Sequence, residues 1–258
     1  MKIEVILTPA ELPALARRDF LDTACVVFDV LRATSTIVTA LQHGAAAVIP
    51  VGEIPEALAI KKQRPDVLLG GERDGVKIRA AQTGETDFDL GNSPREYTPE
   101  IVRDRTIVST TTNGTRALRA GAGAKTILAA SFLNLTVTAE FLRRKAFEDL
   151  VLVCAGTREN VALEDVLAAG ALCELAARGG SATCEGARPT FSDATEMARR
   201  AYVQAKSDLA AAVRSSENAR RLLAVPELRD DVSFCLQRDI FPLVAGMEAD
   251  GAIRRQSA

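Results

Sequence analysis

Acidic, basic and hydroxyl side chains cluster in the segment FDVLRATST (residues 28–36), which directly follows an apolar run. A carboxylate such as Asp29 can bind Mg²⁺ through its oxygens, and Arg32 can form paired hydrogen bonds with a phosphate or sulfonate. The three hydroxyl residues 34–36 fall at the expected start of a helix, where free backbone N–H groups attract anions. The segment predicts a site for a cation and an anion. The alternative is a simple helix cap with an Asp29–Arg32 ion pair.

Two further loops have a similar composition. The segment STTTNGTR (residues 109–116) is a second hydroxyl-rich helix start, and it ends in an arginine. The segment CAGTREN (residues 154–160) precedes the adjacent acids Glu164 and Asp165, which point about 100° apart on a helix, so at most one should face a site. The alternative for the first of these loops is an ordinary capping and turn segment, and for the second it is a pair of acids at a helix start that interacts with the helix dipole.

The central segment, residues 70–94, alternates acids with arginine and glycine. Glu72 and Asp89 are candidate metal ligands or general acid–base groups, and Arg73 and Arg95 are candidate anion clamps. Glycines would let the backbone approach a ligand closely. The alternative is a solvated charged loop.

The elements that would position these loops are three βα units. Apolar strand runs at residues 24–28, 106–109 and 150–154 are followed by helical runs at 34–44, 114–120 and 161–178. Short apolar runs that alternate with helices predict parallel strands, and ligands bind beyond the carboxyl ends of such strands. We therefore predict an α/β fold of three α/β/α layers with a largely parallel or mixed sheet, in which the three loops lie together.

The first two units each continue through a glycine into another strand, at residues 47–51 and 125–129. This resembles a weak internal duplication. We predict one domain over residues 1–258. Two related lobes, about 1–100 and 101–258, are the alternative. The first five residues also read as a strand.

The C-terminal third predicts one long helix from Ser192 to about Val225, with an apolar stripe at residues 197, 201, 205, 209 and 213. This helix could pack in the core or between the copies of a homodimer. Residues 231–236 read as a late strand or short helix and residues 240–244 as the last strand. The final residues 254–258 are expected to fray.

Composition excludes several classes of protein. The net charge is −2 and no basic stretch occurs, so no nucleic-acid partner is expected. Neither a signal peptide nor an apolar run of about 18 residues is present, so we expect no membrane partner. The five scattered cysteines fit a reduced cytoplasmic setting with mostly buried thiols. His43, the single histidine, excludes mechanisms that need two, and reads as a helix C-terminal residue.

Two covalent phosphatase schemes lack their motifs. A thiolate phosphatase loop needs an arginine after five residues that follow the cysteine, and no cysteine has one. The aspartyl-phosphate type needs DxDx[TV] after an apolar strand, but Asp29 is followed two residues later by leucine. Metal-assisted attack by water, or a Ser, Thr or Asp nucleophile, remains.

Five motifs carry a family resemblance: FDVLRATST at 28–36, GGER at 70–73, FDLGNSP at 88–94, TTTNGT at 110–115 and CAGT at 154–157. In this order they resemble the 2-phosphosulfolactate phosphatase family, from about residue 3 to about residue 244. The resemblance implies a magnesium-dependent acid phosphatase with an α/β/α fold. Its reaction would convert 2-phosphosulfolactate to sulfolactate and phosphate, a step in coenzyme M biosynthesis. The substrate does not follow from family membership alone.

We assign roles to the candidate residues from their chemistry. Asp29, Glu72 and Asp89 are the predicted catalytic residues, and together with Asp165 they are the predicted Mg²⁺ ligands. The predicted substrate-binding residues are Arg32, Ser35, Arg73, Asn92, Ser93, Thr111, Thr112, Asn113, Arg116 and Thr157. The partner would be a small phosphate ester. The alternatives are a non-catalytic anion-binding module, or an enzyme acting on a different phosphorylated or sulfonated acid.

Overall fold

The computed structural model describes residues 1–18, 20, 22–178 and 189–256. Their strands are β1 Lys2–Ile6, β2 Thr23–Phe28, β3 Ala47–Pro50, β4 Leu68–Arg73, β5 Val76–Lys77, β6 Thr106–Thr110, β7 Thr126–Ala130, β8 Asp149–Cys154, β9 Thr190–Phe191, β10 Val244–Met247 and β11 Ile253–Gln256. Their α-helices are α1 Leu12–Leu15, α2 Ala33–Gln42, α3 Ile54–Gln63, α4 Ala80–Thr83, α5 Pro99–Val102, α6 Gly114–Ala120, α7 Leu135–Lys145, α8 Leu163–Arg178, α9 Asp193–Ala205, α10 Leu209–Arg214, α11 Glu217–Leu223 and α12 Arg229–Cys235.

Helices cover both faces of a single mixed sheet, because the central strands are apolar on both faces. In β2, Ala24, Val26 and Phe28 face one core, and Cys25 and Val27 face the other. The first core also receives side chains from α7 to α12, and the second from α1, α2 and α6. A strand buried on both faces is typical of the middle layer of an α/β/α fold. The predicted fold class is therefore confirmed.

The described strands pair in the order β5-β4-β6-β3-β11-β10-β7-β2-β8-β1-β9. Parallel pairing joins β4, β6 and β3 into one group, and β7, β2, β8, β1 and β9 into another. The antiparallel hairpin β10–β11 lies between the groups and pairs with β7 and β3. The last strands of the chain therefore join the two groups into one sheet.

The two groups do not follow a division of the chain near residue 100. β2 pairs with β7, and β3 pairs with β6, so each of the two similar βαβ segments contributes one strand to each group. The connecting helices α2 and α6 cross between the groups and touch one another. The loops after β2 and β6 are thereby brought together.

The three predicted βα units are confirmed as β2–α2, β6–α6 and β8–α8, and the N-terminal strand as β1. The central segment differs from its prediction as a loop, since β4 continues through Arg73 and places Glu72 on a strand. His43 is the C-cap of α2, as predicted, and its Nδ1 lies 2.6 Å from the Tyr97 carbonyl. Four cysteines are free and buried, and Cys184 lies outside the described residues.

The predicted long helix from Ser192 is wrong in its length. Ser192 does cap α9, accepting a hydrogen bond from the Thr195 N–H. Two more residues then cap new helices: Asp208 accepts from the Ala211 N–H, and Ser216 accepts from the Ala219 N–H. Side chains that accept from nearby backbone N–H groups favour a new helix start over a continuous helix.

The remaining C-terminal predictions are also corrected. Of the alternatives for residues 231–236, the helix is observed, as α12. The last strands are β10 and β11, not residues 240–244, and residues 254–256 are paired in β11 rather than frayed. Met197, placed on the apolar stripe, is 64% exposed, whereas Val213 is buried. Within the described part of the chain, no helix is long and apolar enough to cross a membrane.

Candidate active site

A polar cavity opens where the chain leaves four strands. Its lining comes from the loop after β2, the end of β4 and the turn that follows it, the loop after β6, and the loop after β8; Asn92 and helix α11 complete it. The lining residues are Asp29, Leu31, Arg32, Glu72, Asp74, Gly75, Asn92, Thr112, Asn113, Gly156, Thr157, Arg158, Asn218 and Arg221. Acids and arginines thus face one small space.

Asp29 is held at the base of this cavity by the start of α2. The Ala33 N–H donates to Asp29 Oδ1 at 2.9 Å, and the Asp29 N–H donates to Thr34 Oγ1 at 3.0 Å. Within the described residues, no hydrogen bond reaches Oδ2. A Cβ placed on Gly114 would lie 2.6 Å from that oxygen, so only glycine lets the start of α6 approach it so closely.

The environment of Asp29 disfavours its charge. Burial raises the pKa of Asp29 to about 7, while the Ala33 N–H lowers the pKa and the negative charges of Glu72 and Glu164 raise it. The guanidinium of Arg32 has a smaller, opposite effect on this pKa. A carboxylate with a strongly raised pKa in a cleft is a functional-site candidate.

This raised pKa predicts a pH-dependent stability. The ordinary pKa of 3.8 in the unfolded chain lies below the folded value of about 7. The contribution of Asp29 to stability is therefore complete at low pH and is lost as the pH rises through about 7. The free energy of unfolding of the metal-free wild-type protein should therefore fall between about pH 5.5 and pH 8. That fall should exceed the fall in the Asp29→Asn variant by on the order of 2 kcal/mol. Urea denaturation in a chelator measures this difference. Equal pH dependence in the two proteins would contradict it.

Glu72 ties two loops together beside Asp29. Its Oε1 accepts from the Thr112 N–H at 2.8 Å, and its Oε2 accepts from the Gly75 N–H at 2.6 Å. The side chain is buried at the end of β4. The carboxylate therefore fixes the loop after β6 and the turn after β4 in one arrangement, and both loops line the cavity.

Arg32 lies in the wall of the cavity, but protein groups hold its guanidinium. Nη1 donates to Asp231 Oδ2 at 2.7 Å, and Nη2 donates to the Gly75 carbonyl at 2.6 Å. The alternative Asp29–Arg32 ion pair is therefore not formed. The side chains of Arg32 and Asp231 are 2% and 0% exposed, so this is a buried ion pair.

Two exposed arginines stand at the cavity mouth. Arg158 has a backbone φ of 56° in the loop after β8. Arg221 extends from α11, and its Nη2 donates to Asn218 Oδ1 at 2.8 Å. Neither arginine forms an ion pair within the described part of the chain. They are therefore the cations of this cavity that remain able to bind an anionic ligand.

Asn218 joins α11 to the loop after β8. Its Nδ2 donates to Thr157 Oγ1 at 2.6 Å and to Glu164 Oε1 at 2.9 Å. Glu164 is buried, and its Oε2 has no hydrogen-bond partner among the described residues. Neighbouring Asp165 is buried too, and accepts from the Val30 and Gly156 N–H groups at 2.8 and 3.0 Å. Burial, followed by the charges of Asp29 and Glu164, raises the pKa of Asp165.

The cavity thus brings together seven of the predicted site residues: Asp29, Arg32, Glu72, Asn92, Thr112, Asn113 and Thr157. Asn113 donates to the carbonyls of Ala155 and Arg158, both at 2.8 Å, and so positions the loop after β8. Five of the seven lie in loops that follow the carboxyl end of a strand, which is how the sequence located them, whereas Glu72 and Asn92 belong to the central segment 70–94.

Other predicted site residues are not among those that line the cavity. Asp89 accepts from the Leu69 N–H at 2.7 Å and lies 3.7 Å from Lys61, with a side chain 41% exposed. Arg73 donates to the Glu72 carbonyl and Thr110, and Arg116 pairs with Glu159. Three predicted hydroxyl groups have partners within the protein. Ser35 donates to the Val30 carbonyl, Ser93 donates to Asp231, and Thr111 accepts from the Thr115 N–H. Asp165 accepts from the two backbone N–H groups described above.

The four carboxylates predicted as metal ligands do not converge. Among the described residues, no group of three or more His, Cys, Asp or Glu side chains is placed to hold a metal ion. Of the four predicted ligands, Asp29 and Glu72 line the cavity, and Asp89 and Asp165 are not among its lining residues. Mg²⁺ is commonly bound by one or two carboxylates, with water and phosphate oxygens as its other ligands. The open Oδ2 of Asp29 beside Glu72 therefore fits Mg²⁺ held jointly with a phosphate.

The sequence interpretation missed four residues around the cavity: Asn218, Arg221, Arg158 and Asp231. Arg158 lay within a loop already singled out. The other three lie in the C-terminal third, in helices read as core or as an undecided element. No local signal separates them from surface polar residues, because their roles depend on contacts with distant parts of the chain.

Comparison with known proteins gives one consistent result. A family model described as 2-phosphosulpholactate phosphatase matches residues 7–250. A protein from Thermotoga petrophila is 40% identical, with 94% of this chain and 93% of the relative covered. A protein from Thermotoga maritima is 39% identical over 95% of each chain, and one from Caldicellulosiruptor saccharolyticus is 37% identical over 86% and 88%. All three are named "probable 2-phosphosulfolactate phosphatase".

Proposed function

Because the chain belongs to the 2-phosphosulpholactate phosphatase family, we propose that it is a phosphoric monoester hydrolase that converts 2-phosphosulfolactate to sulfolactate and phosphate with Mg²⁺. The observation that carries this proposal is the meeting of Asp29 and Glu72 with Arg158 and Arg221 in one cavity. The carboxylates suit a divalent cation, and the arginines suit an anionic ester. An anion-binding module without a cation would gain nothing from two buried carboxylates.

The reaction replaces the ester oxygen on phosphorus with an oxygen from water. The new P–O bond forms as the bond to the ester oxygen breaks, and that oxygen leaves with a proton as the hydroxyl of sulfolactate. Asp29 and Glu72 would hold Mg²⁺, and a cation bound there would supply positive charge for the phosphate oxygens. Glu72 also keeps the loop after β6 in place through the Thr112 N–H. Arg32, fixed by Asp231 and Gly75, presents a positive wall to the phosphate.

The arginines at the mouth account for the acid part of the substrate. 2-Phosphosulfolactate carries a carboxylate and a sulfonate beside its phosphate. Arg221 is oriented by Asn218, and Arg158 by the loop that Asn113 holds. We assign these two side chains to the non-reacting anionic groups, in place of Arg73 and Arg116, whose guanidinium groups bind elsewhere.

A panel of phosphate esters tests the proposal. The purified protein is incubated with 2-phosphosulfolactate, phosphoglycerates and p-nitrophenyl phosphate, with Mg²⁺ or with EDTA, and released phosphate is measured. We expect the highest kcat/KM for 2-phosphosulfolactate and loss of turnover in EDTA that added Mg²⁺ restores. Phosphate release unaffected by EDTA would reject the role of the cation. Ester binding without phosphate release would indicate an anion-binding module. Location in the cytoplasm and a homodimer stay predictions from the sequence.

A further inference from the structure

A buried carboxylate outside the cavity lies behind its arginine wall. Asp231 is on α12 and is 0% exposed. It is 199 residues from Arg32 in sequence, yet its Oδ2 accepts from Arg32 Nη1 at 2.7 Å. Its Oδ1 accepts from Ser93 Oγ at 2.7 Å and lies 3.8 Å from Arg95 Nη1. Both oxygens are therefore engaged by groups that belong to, or adjoin, the cavity lining.

These contacts continue to Glu72 and to the segment at Asn92. Arg32 Nη2 donates to the Gly75 carbonyl, and the Gly75 N–H donates to Glu72. Ser93 follows Asn92, which lines the cavity and whose carbonyl accepts from Thr36 Oγ1 at 2.8 Å. A displacement of Asp231 would therefore change the positions of Arg32, of the turn at Gly75 and of the segment at Asn92.

We propose that Asp231 is a positioning residue for hydrolysis, and that it acts by fixing the guanidinium of Arg32, while the hydroxyl of Ser93 holds the Asp231 carboxylate in turn. This inference rests on the proposed function. A long arginine side chain without a partner samples several rotamers, and its charge is then spread over several positions. The buried carboxylate of Asp231 holds the Arg32 guanidinium in one position before the substrate binds. Catalysis depends on charges held in place in this way.

The geometry also separates Asp231 from its neighbour. Asp230 is 67% exposed and lies 3.5 Å from Arg95 at the surface. The two aspartates have the same chemistry and adjacent positions, but only Asp231 touches Arg32. Asp230→Asn is therefore a matched control for Asp231→Asn.

A double-mutant cycle tests the inference. We measure kcat and KM for 2-phosphosulfolactate, and the Kd for inorganic phosphate by calorimetry, in wild type, Asp231→Asn, Arg32→Gln and the double variant. Asp231→Asn should lower kcat/KM by about 10- to 100-fold. In the Arg32→Gln background the same change should cost less than about twofold, because the group through which Asp231 acts is gone. Asp230→Asn should match wild type.

Other outcomes overturn the inference. Equal losses in both backgrounds would show that Asp231 supports the fold and not Arg32. Wild-type kinetics in a folded Asp231→Asn protein would show that it positions nothing. If Asp231→Asn does not fold, Ser93→Ala takes its place in the cycle. Ser93→Ala should lower kcat/KM about threefold in wild type and should leave kcat/KM unchanged in the Arg32→Gln background. Equal losses of kcat/KM in the two backgrounds would again reject the positioning role.

Failure of the proposed function gives a different pattern. A wild-type protein that releases no phosphate from any ester refutes the phosphatase assignment. The double-mutant cycle then uses the Kd for inorganic phosphate. We still expect the effects of Asp231→Asn and Arg32→Gln on this Kd to be non-additive. Turnover by wild type together with additive variants refutes the positioning role alone.

Discussion

Replacing Asp29 with asparagine is expected to lower kcat for 2-phosphosulfolactate by about 100- to 1,000-fold with the fold intact. The amide has nearly the same shape, and its oxygen can still accept the Ala33 N–H that Asp29 accepts at 2.9 Å. It brings no negative charge to the cavity, so it can neither balance a cation nor take a proton nor attack phosphorus. Steady-state kinetics with Mg²⁺, together with circular dichroism on the same samples, measure the effect.

Asp89→Asn is the control for this prediction. Asp89 has the same chemistry and was predicted to be a metal ligand too, but its carboxylate lies beside Leu69 and Lys61. We expect its kcat to stay within about twofold of wild type, in the range typical of surface changes. A loss in Asp89→Asn that equals the loss in Asp29→Asn would contradict the site as described. Near wild-type turnover of Asp29→Asn would remove Asp29 from the mechanism.

Replacing Arg221 with glutamine is expected to raise KM for 2-phosphosulfolactate by about 10- to 100-fold, the value of a charge-assisted hydrogen bond to an anion. For p-nitrophenyl phosphate, which has no second anionic group, the KM should change by less than about threefold. Glutamine keeps a polar side chain of similar reach, so the α11 backbone and Asn218 should stay in place. Michaelis–Menten analysis of both esters under the same conditions separates the two effects.

Arg220→Gln is the matched control for Arg221→Gln. Arg220 is the preceding residue of α11 and an exposed arginine, but its guanidinium binds the Ser215 carbonyl, and Arg220 is not among the residues that line the cavity. The KM values of Arg220→Gln for both esters should equal those of the wild-type protein. Equal rises in KM for the two esters in Arg221→Gln would show that Arg221 binds the phosphate, not the acid part of the substrate.

Local pattern accounts for the parts of the site that the sequence located. Asp29, Thr112 and Thr157 each follow the carboxyl end of a buried strand, and parallel strands bring such positions together. The acid-rich central segment placed Asp89 in the site, because nothing local distinguishes a carboxylate that faces the cavity from one that accepts a backbone N–H elsewhere. Composition and an apolar stripe also predicted one helix over residues 192–225, although Asp208 and Ser216 start new helices.

The sequence by itself determined the βα units, the family and the presence of a carboxylate at the end of β2, since each depends on residues that are close along the chain. Only the tertiary structure decided which arginines are available to a ligand. Arg32 is occupied by a carboxylate 199 residues away, whereas Arg221, on a helix far from every motif, reaches the cavity. The physical reason is that a charged side chain takes its role from the partner that it meets. That partner is set by how distant segments pack.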